Sequence, residues 1–240
     1  MPNTFFQFKQ FTIHQDQCAM KVSTDSCLFG AWLSKIVVPS LPNINNVLDI
    51  GAGTGLLMLM MAQEHMLNID GIELNDSAYH QALNNISLSK WTDRLRLLHG
   101  DVKTFHLVQQ YDFIISNPPF YENDLLTPSK EKAAAMHDAT LDFDSLLSVI
   151  NKHLNADGFC ALLIPFHRFN YFKDLSLSKG FYVQSVMHIR HQEDHQFIRS
   201  MVLLGREYAE PCIDALTIKE KDGTYTSAFT QFLKDYYLHL

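Results

Sequence analysis

Between residues 46 and 166 the chain repeats one alternation, a short apolar run followed by a longer stretch with helical spacing. The runs are NVLDI (46–50), IDGIEL (69–74), LRLLHG (95–100), DFIIS (112–116) and FCALLIPF (159–166). Helical spacing falls at 55–66, 76–89 and 142–154, with 102–110 a weaker fourth. A strand that is apolar throughout, and not only at every second position, must be buried on both faces. This rhythm therefore demands a parallel sheet with helices on each side, an α/β fold.

The flanks follow different rules. FFQFKQFTI (5–13) alternates as a single strand does, with a partner expected nearby, and DSCLFGAWLSKI (25–36) reads as a helix with Asp25 at its N-cap. PSLPNINN is a loop by composition. After residue 180, FYVQSVMHIR and QFIRSMVLLGRE are two strands joined by the polar HQEDH, and a last helix is expected over 226–238 after the turn KDGT. The sum is a mostly parallel seven-stranded sheet closed by an antiparallel C-terminal hairpin. We expect one domain over 1–240, in which 1–40 form a strand and helix extension to a core of 41–240.

With 47% apolar residues the chain has ample material for a core. No apolar run reaches the length of a membrane span, and MPNTFFQFKQF lacks the basic-then-apolar order of a secretory signal. Cys18, Cys27, Cys160 and Cys212 are scattered without a C-x-x-C pair, which suits reduced thiols and a cytoplasmic location. The formal net charge of −7 argues against nucleic-acid binding by bulk electrostatics and leaves room for a local basic patch. Lys130, Lys132, Arg190 and Arg199 are the candidates for such a patch, the plainer alternative being solvated faces.

VLDIGAGTGLLMLMMAQ places Gly51, Gly53 and Gly55 between a strand and a helix, where glycine permits a tight turn and close approach to a ligand. The spacing is neither that of dinucleotide binders nor that of a P-loop, and no lysine follows to meet a phosphate. Asp49 just before the turn suggests a nucleoside ligand that carries a cation. Glu73 ends the next strand, 22 residues beyond Gly51, where an acid can accept from both ribose hydroxyls. Asp101 ends the third strand and can accept from an adenine amino group. Each acid alone is a common solvated strand end; three at successive carboxyl ends mark the edge where open α/β sheets bind ligands.

The series Asp49-x-Gly51-x-Gly53-x-Gly55, Glu73, Asp101 and Asn117-Pro118-Pro119-Phe120 resembles the motifs of class I S-adenosylmethionine-dependent methyltransferases. The NPPF tetrad is similar to that of enzymes methylating adenine N6, guanine N2 or glutamine amides. FKQFTIHQDQCAMKVSTDSCLFGAW resembles the N-terminal region of bacterial tRNA adenine-N6 methyltransferases that act beside the anticodon of valine tRNA. The resemblance covers nearly the whole chain and implies a Rossmann-like fold, S-adenosylmethionine as cofactor (S-adenosylhomocysteine as product), and no metal. It implies that Lys21, Thr24 and Asp25 lie near the methionine end of the cofactor and that Val102 and Asn117 also bind it. Ser23 and Ser26 stand where the family pattern has glycine.

For such a substrate the tetrad has a purpose beyond stopping a strand. An exocyclic purine amine is a poor nucleophile because its lone pair is delocalised into the ring. The side-chain carbonyl of Asn117 and the backbone carbonyl of Pro118, stiffened by the Pro118–Pro119 link, offer acceptors for its two N–H groups. Phe120 and Tyr121 offer a flat face for an extruded base. His137 reads either as a substrate contact or as a polar residue at a helix start. HIRHQEDH (188–195) lacks metal-ligand spacing. The expected partner is tRNA, with no membrane and no obligate protein partner, the chain acting as a monomer. The rival substrates are guanine N2 in ribosomal RNA and a protein glutamine; the rival class is a non-catalytic RNA- or partner-binding protein.

Overall fold

The structure, a computed structural model, describes residues 3–18, 20–118 and 142–240. Strands β3 (Asn46–Ile50), β4 (Asn68–Glu73), β5 (Leu95–His99), β6 (Tyr111–Ser116), β7 (Leu154–Pro165), β8 (Tyr182–Arg190), β9 (Phe197–Gly205) and β10 (Cys212–Thr217) form one sheet. Their order is β10-β8-β9-β7-β6-β3-β4-β5. Only β9 runs antiparallel to its neighbours, inserted between β7 and β8. The expected hairpin is therefore present, but among the described residues the sheet has eight strands, not seven. The added strand, β10, pairs parallel with β8 at the edge. Its exposed face and short apolar content hide it from a search for buried runs.

Alternation along the central strands divides the core. Val47, Ile69, Phe113, Ile115 and Leu163 face α1 (Thr24–Trp32), α3 (Leu56–Glu64) and α7 (Ser227–Leu233), with Ile86 of α4 (Asp76–Ser87) on the same side. Leu48, Ile50, Ile72, Ile114 and Leu162 face the opposite layer, which includes α5 (Phe143–His153) and Phe172 of α6 (Phe169–Ser178). The weak helix expected over 102–110 does not form; turns and extended chain bury Val102 and Leu107 there. Helix α6 was not expected, because FNYFKDLSLS carries too few buried positions for a clear apolar stripe.

The single N-terminal strand expected over 5–13 is instead a hairpin of β1 (Phe5–Gln7) and β2 (Thr12–His14), separate from the main sheet. Its Phe8 stacks on Phe11 and approaches Tyr237 near the other end of the chain. Helix α1 continues through a π-helical turn, Leu33–Val37, into α2 (Val38–Ser40). Its N-cap is Ser23, with Asp25 in the first turn, a correction to the expected cap. Ser23 and Ser26 account for this. Ser23 Oγ accepts from the Ser26 N–H, and Ser26 Oγ accepts from the Ser23 N–H, so the pair closes a reciprocal cap. The last helix is shorter than expected, ending at Leu233.

Candidate active site

The carboxyl ends of four adjacent strands, in the order β6-β3-β4-β5, deliver Asn117, Gly51, Glu73 and Asp101 to one edge of the sheet. At the usual strand spacing these four ends span about 15 Å, enough for a nucleoside and its substituent. The residues expected to act together are thus brought together by parallel pairing.

The turn after β3 is pinned peptide by peptide. Gly51, Gly53 and Gly55 all have positive φ, at 74°, 57° and 78°, a region that residues with a side chain enter only with strain. The Gly51 and Ala52 N–H groups donate to the Ile72 carbonyl on β4. Glu73 Oε2 accepts from the Gly53 N–H at 2.8 Å, and its Oε1 accepts from the Asn75 N–H at 2.8 Å. Asn75 in turn caps α4. Glu73 therefore shapes the turn as well as standing at its edge, a role its sequence position did not disclose. The backbone of β5 closes this side, since the Gly100 N–H donates to the Glu73 carbonyl. Asp101 Oδ1 accepts from the Lys103 N–H, and Val102 is buried beneath. Leu74, 57% exposed directly after Glu73, is an apolar surface at this edge that charge-based reading missed.

Asp49 is the anomaly. It is 1% exposed, shares the α1 and α3 face with Val47, and neither carboxylate oxygen has a hydrogen-bond partner. Burial, aided by the Glu73 carboxylate, pushes its carboxyl up to about 8. An ionised carboxylate with no partner in such a place is costly. A ligand with positive charge relieves that cost, so the donor set fits a sulfonium or ammonium group and not a phosphate.

The sign of the pH effect follows. The folded chain holds the Asp49 proton more tightly than the unfolded chain, so Asp49 erodes stability of the ligand-free protein as pH rises from about 4 to about 8. Asp49→Asn is expected to gain thermal stability over the natural chain progressively across that window, while binding a cationic ligand more weakly. Thermal midpoints of the two proteins measured from pH 5 to 8 check this; parallel curves would overturn it.

On the other side of β3, Ser116 Oγ donates to the Ile50 carbonyl at 2.8 Å and locks the end of β6 to the start of the glycine turn. Asn117 follows, half-buried, and Pro118 is buried. Pro119, Phe120, Tyr121, Lys130, Lys132 and His137 lie outside the described residues. Lys21 and Thr24 are exposed near the start of α1, and Lys21 Nζ donates to the Asn3 carbonyl. Asp25 pairs with Arg199 Nε at 3.2 Å, which ties the start of α1 to β9 at the same edge of the sheet. Arg190 donates to Thr217 Oγ1 and to the Glu193 carbonyl and lies over the Phe197 ring. Both arginines expected at a nucleic-acid contact are thus engaged in shaping the protein surface. Among the described residues no group of three His, Cys, Asp or Glu side chains is placed to hold a metal ion, and no helix is long and apolar enough to cross a membrane.

The family model of the methyltransferase small domain matches residues 31–183. A Dyadobacter fermentans protein named tRNA1(Val) (adenine(37)-N6)-methyltransferase is 40% identical, over 98% of this chain and 98% of its own. A Yersinia pestis protein of the same name is 34% identical, over 98% of this chain and 94% of its own. Among solved structures, an Agrobacterium tumefaciens protein described as a predicted O-methyltransferase matches with a TM-score of 0.67 at 14% identity, covering 88% of this chain and 96% of that one. A glycopeptide N-methyltransferase complexed with sinefungin matches at 0.56 and 12% identity, covering 75% and 87%. At such identities the structural likeness speaks for the fold alone.

Proposed function

The chain belongs to the methyltransferase small domain family, and from that premise we propose that its carboxyl-edge site methylates the exocyclic N6 of an adenine in tRNA, adenosine 37 of valine tRNA1. S-adenosylmethionine, when bound, supplies an electrophilic methyl group carried on a sulfonium. Glu73 and Asp101 are the acceptors for its nucleoside half, the glycine turn admits it closely, and Asp49 complements its positive charge. Lys21, Thr24 and Asp25 belong in this reading to the methionine end.

Asn117 and Pro118 prepare the acceptor amine. The side-chain carbonyl of Asn117 takes one N–H and the Pro118 carbonyl the other, which draws the amine out of conjugation with the ring. The same two acceptors stabilise the positive charge that develops on nitrogen as its bond to the methyl carbon forms. They also fix the direction of approach, which removes orientational entropy from the step. No covalent intermediate is required. The observation that carries the reading is the placement of Asn117 directly beside the glycine turn, locked there by the Ser116 bond to Ile50. Pro119 completes the stiff link in this reading, and Phe120 with Tyr121 stacks the extruded base. His137, Lys130, Lys132, Arg190 and Arg199 are further proposed contacts to tRNA, and the enzyme is read as a monomer.

The test incubates the protein and labelled cofactor with bulk tRNA, ribosomal RNA and a glutamine-containing protein. Label is expected in N6-methyladenosine of tRNA. Label confined to N2-methylguanosine or to protein would overturn the substrate and leave the chemistry standing; no label in any arm would overturn the reaction. With few basic residues at the site, tRNA binding is expected to depend shallowly on salt, with about two to four phosphates engaged.

A further inference from the structure

A buried amide links the N-terminal arm, residues 3–18, to the glycine turn. Asn85 on α4 is 1% exposed and makes three hydrogen bonds. Its Oδ1 accepts from the His14 N–H at 2.9 Å, and its Nδ2 donates to the His14 carbonyl at 2.9 Å and to the Thr54 carbonyl at 3.0 Å. One side chain thereby pairs with the open edge of β2 as a neighbouring strand would, and holds the peptide between Thr54 and Gly55. The Gly55 N–H of that same peptide donates to the Ala52 carbonyl, so the plane is fixed from both sides. A side chain at Gly55, where φ is 78°, would reach Ala82 and Ile86 of α4.

Two further observations connect the arm to the site. Gln81, one turn before Asn85, accepts from the Gln17 N–H at 3.1 Å, and Gln15 Oε1 accepts from the Val22 N–H at 2.8 Å. Burial raises the Cys18 thiol to about 11, and the Glu73 carboxylate contributes to that rise, so the end of the arm lies within the field of the carboxylate that shapes the turn. A hollow of about 370 Å³ lies beside this contact, bordered by Phe8, Phe11, His14, Asn85 and Leu88. Hydrogen bonds from the two amides, and not close packing alone, hold this junction.

We propose that Asn85 is a positioning residue for the cofactor site, coupling the docked arm to the glycine turn so that ligand binding at the turn tightens the arm. This rests on the reading of the edge as an S-adenosylmethionine site. Asn85 touches no reacting atom. Its loss leaves the His14 N–H and two carbonyls without partners and frees the Thr54–Gly55 peptide. The effect belongs on cofactor affinity, since neither Asn117 nor Pro118 is held by Asn85.

The experiment compares the full-length chain with Asn85→Ala by calorimetric titration of S-adenosylhomocysteine, by initial rates on tRNA, and by trypsin cleavage after the exposed Lys21. The variant is expected to bind S-adenosylhomocysteine about tenfold or more weakly and to raise KM for the cofactor in step, with kcat reduced less than threefold. Ligand is expected to slow cleavage at Lys21 in the natural chain and to protect the variant far less at equal occupancy. Gln81→Ala, which removes only the tie to Gln17, is expected to show the loss of protection with a smaller loss of affinity. Unchanged affinity and unchanged protection in folded Asn85→Ala would overturn the proposal. So would a variant that is merely less thermostable, with natural KM below its unfolding temperature. If Asn85→Ala fails to fold, Gln81→Ala decides: natural affinity and natural protection there overturn the coupling. Failure of the natural chain itself to bind S-adenosylhomocysteine would instead sink the cofactor reading on which the proposal stands.

Discussion

Asn117→Ala is expected to lower the rate of methyl transfer at saturating cofactor on the order of a hundredfold or more, the scale of losing one donor from an oxyanion hole. Cofactor affinity should change little. The asymmetry comes from when the interaction is needed. A neutral aromatic amine gains only a modest hydrogen bond from the Asn117 carbonyl in the ground state, whereas nitrogen carrying positive charge in the transition state gains far more. The surroundings make the substitution clean. Asn117 follows β6, whose end is held by the Ser116 bond to Ile50 and by register with β3. None of these depends on the Asn117 side chain. Single-turnover rates with tRNA, paired with titration of S-adenosylhomocysteine, separate the two quantities. A variant that methylates at nearly the natural rate would reduce Asn117 to a strand-end residue.

Glu73→Ala is expected to weaken cofactor binding by about 1.5–3 kcal/mol, the range for hydrogen bonds to a charged group, or on the order of ten- to a hundredfold in affinity. Two losses combine. The proposed ribose hydroxyl contacts disappear, and the Gly53 and Asn75 N–H groups lose the acceptor that bridges the turn to α4. Removing a neighbouring negative charge also eases ionisation of Asp49, since Glu73 is one of the two causes holding its proton. The pH at which cofactor affinity levels off should therefore move down in Glu73→Ala relative to the natural chain. Calorimetry across pH checks both expectations in one series. Unchanged affinity in a folded variant would remove Glu73 from the site.

Much of this site was legible in one dimension because parallel α/β folds convert sequence order into spatial order. Once NVLDI, IDGIEL, LRLLHG and DFIIS are parallel strands, the residues after each must meet at one edge. Glu73, Asp101 and Asn117 could then be expected at that edge from their place at strand ends. The positive φ of Gly51, Gly53 and Gly55 was foreseeable for the same local reason, a turn too tight for a side chain.

What escaped the sequence lies in contacts between segments far apart in the chain. The single strand expected over 5–13 is a hairpin, because Phe8 and Phe11 stack on each other and the arm folds back between α4 and the chain's last residues. Strand β10 exists because β8 offers an unpaired edge, which no composition of residues 212–217 announces. The engagement of Arg199 by Asp25 spans most of the chain, so charge alone suggested a solvent-facing arginine where the fold supplies an acid.

The apolar rhythm thus determined the α/β class, the central strands and the edge that carries the candidate site, since burial on both faces is written in residue type and local spacing. The tertiary structure alone decided that Glu73 moulds the turn it faces, that Asp49 is buried without a partner, and that Asn85 joins the arm to Thr54. Each of those depends on which polar atom ends within about 3 Å of another, a distance set by the packing of whole elements and recorded in no short stretch of sequence.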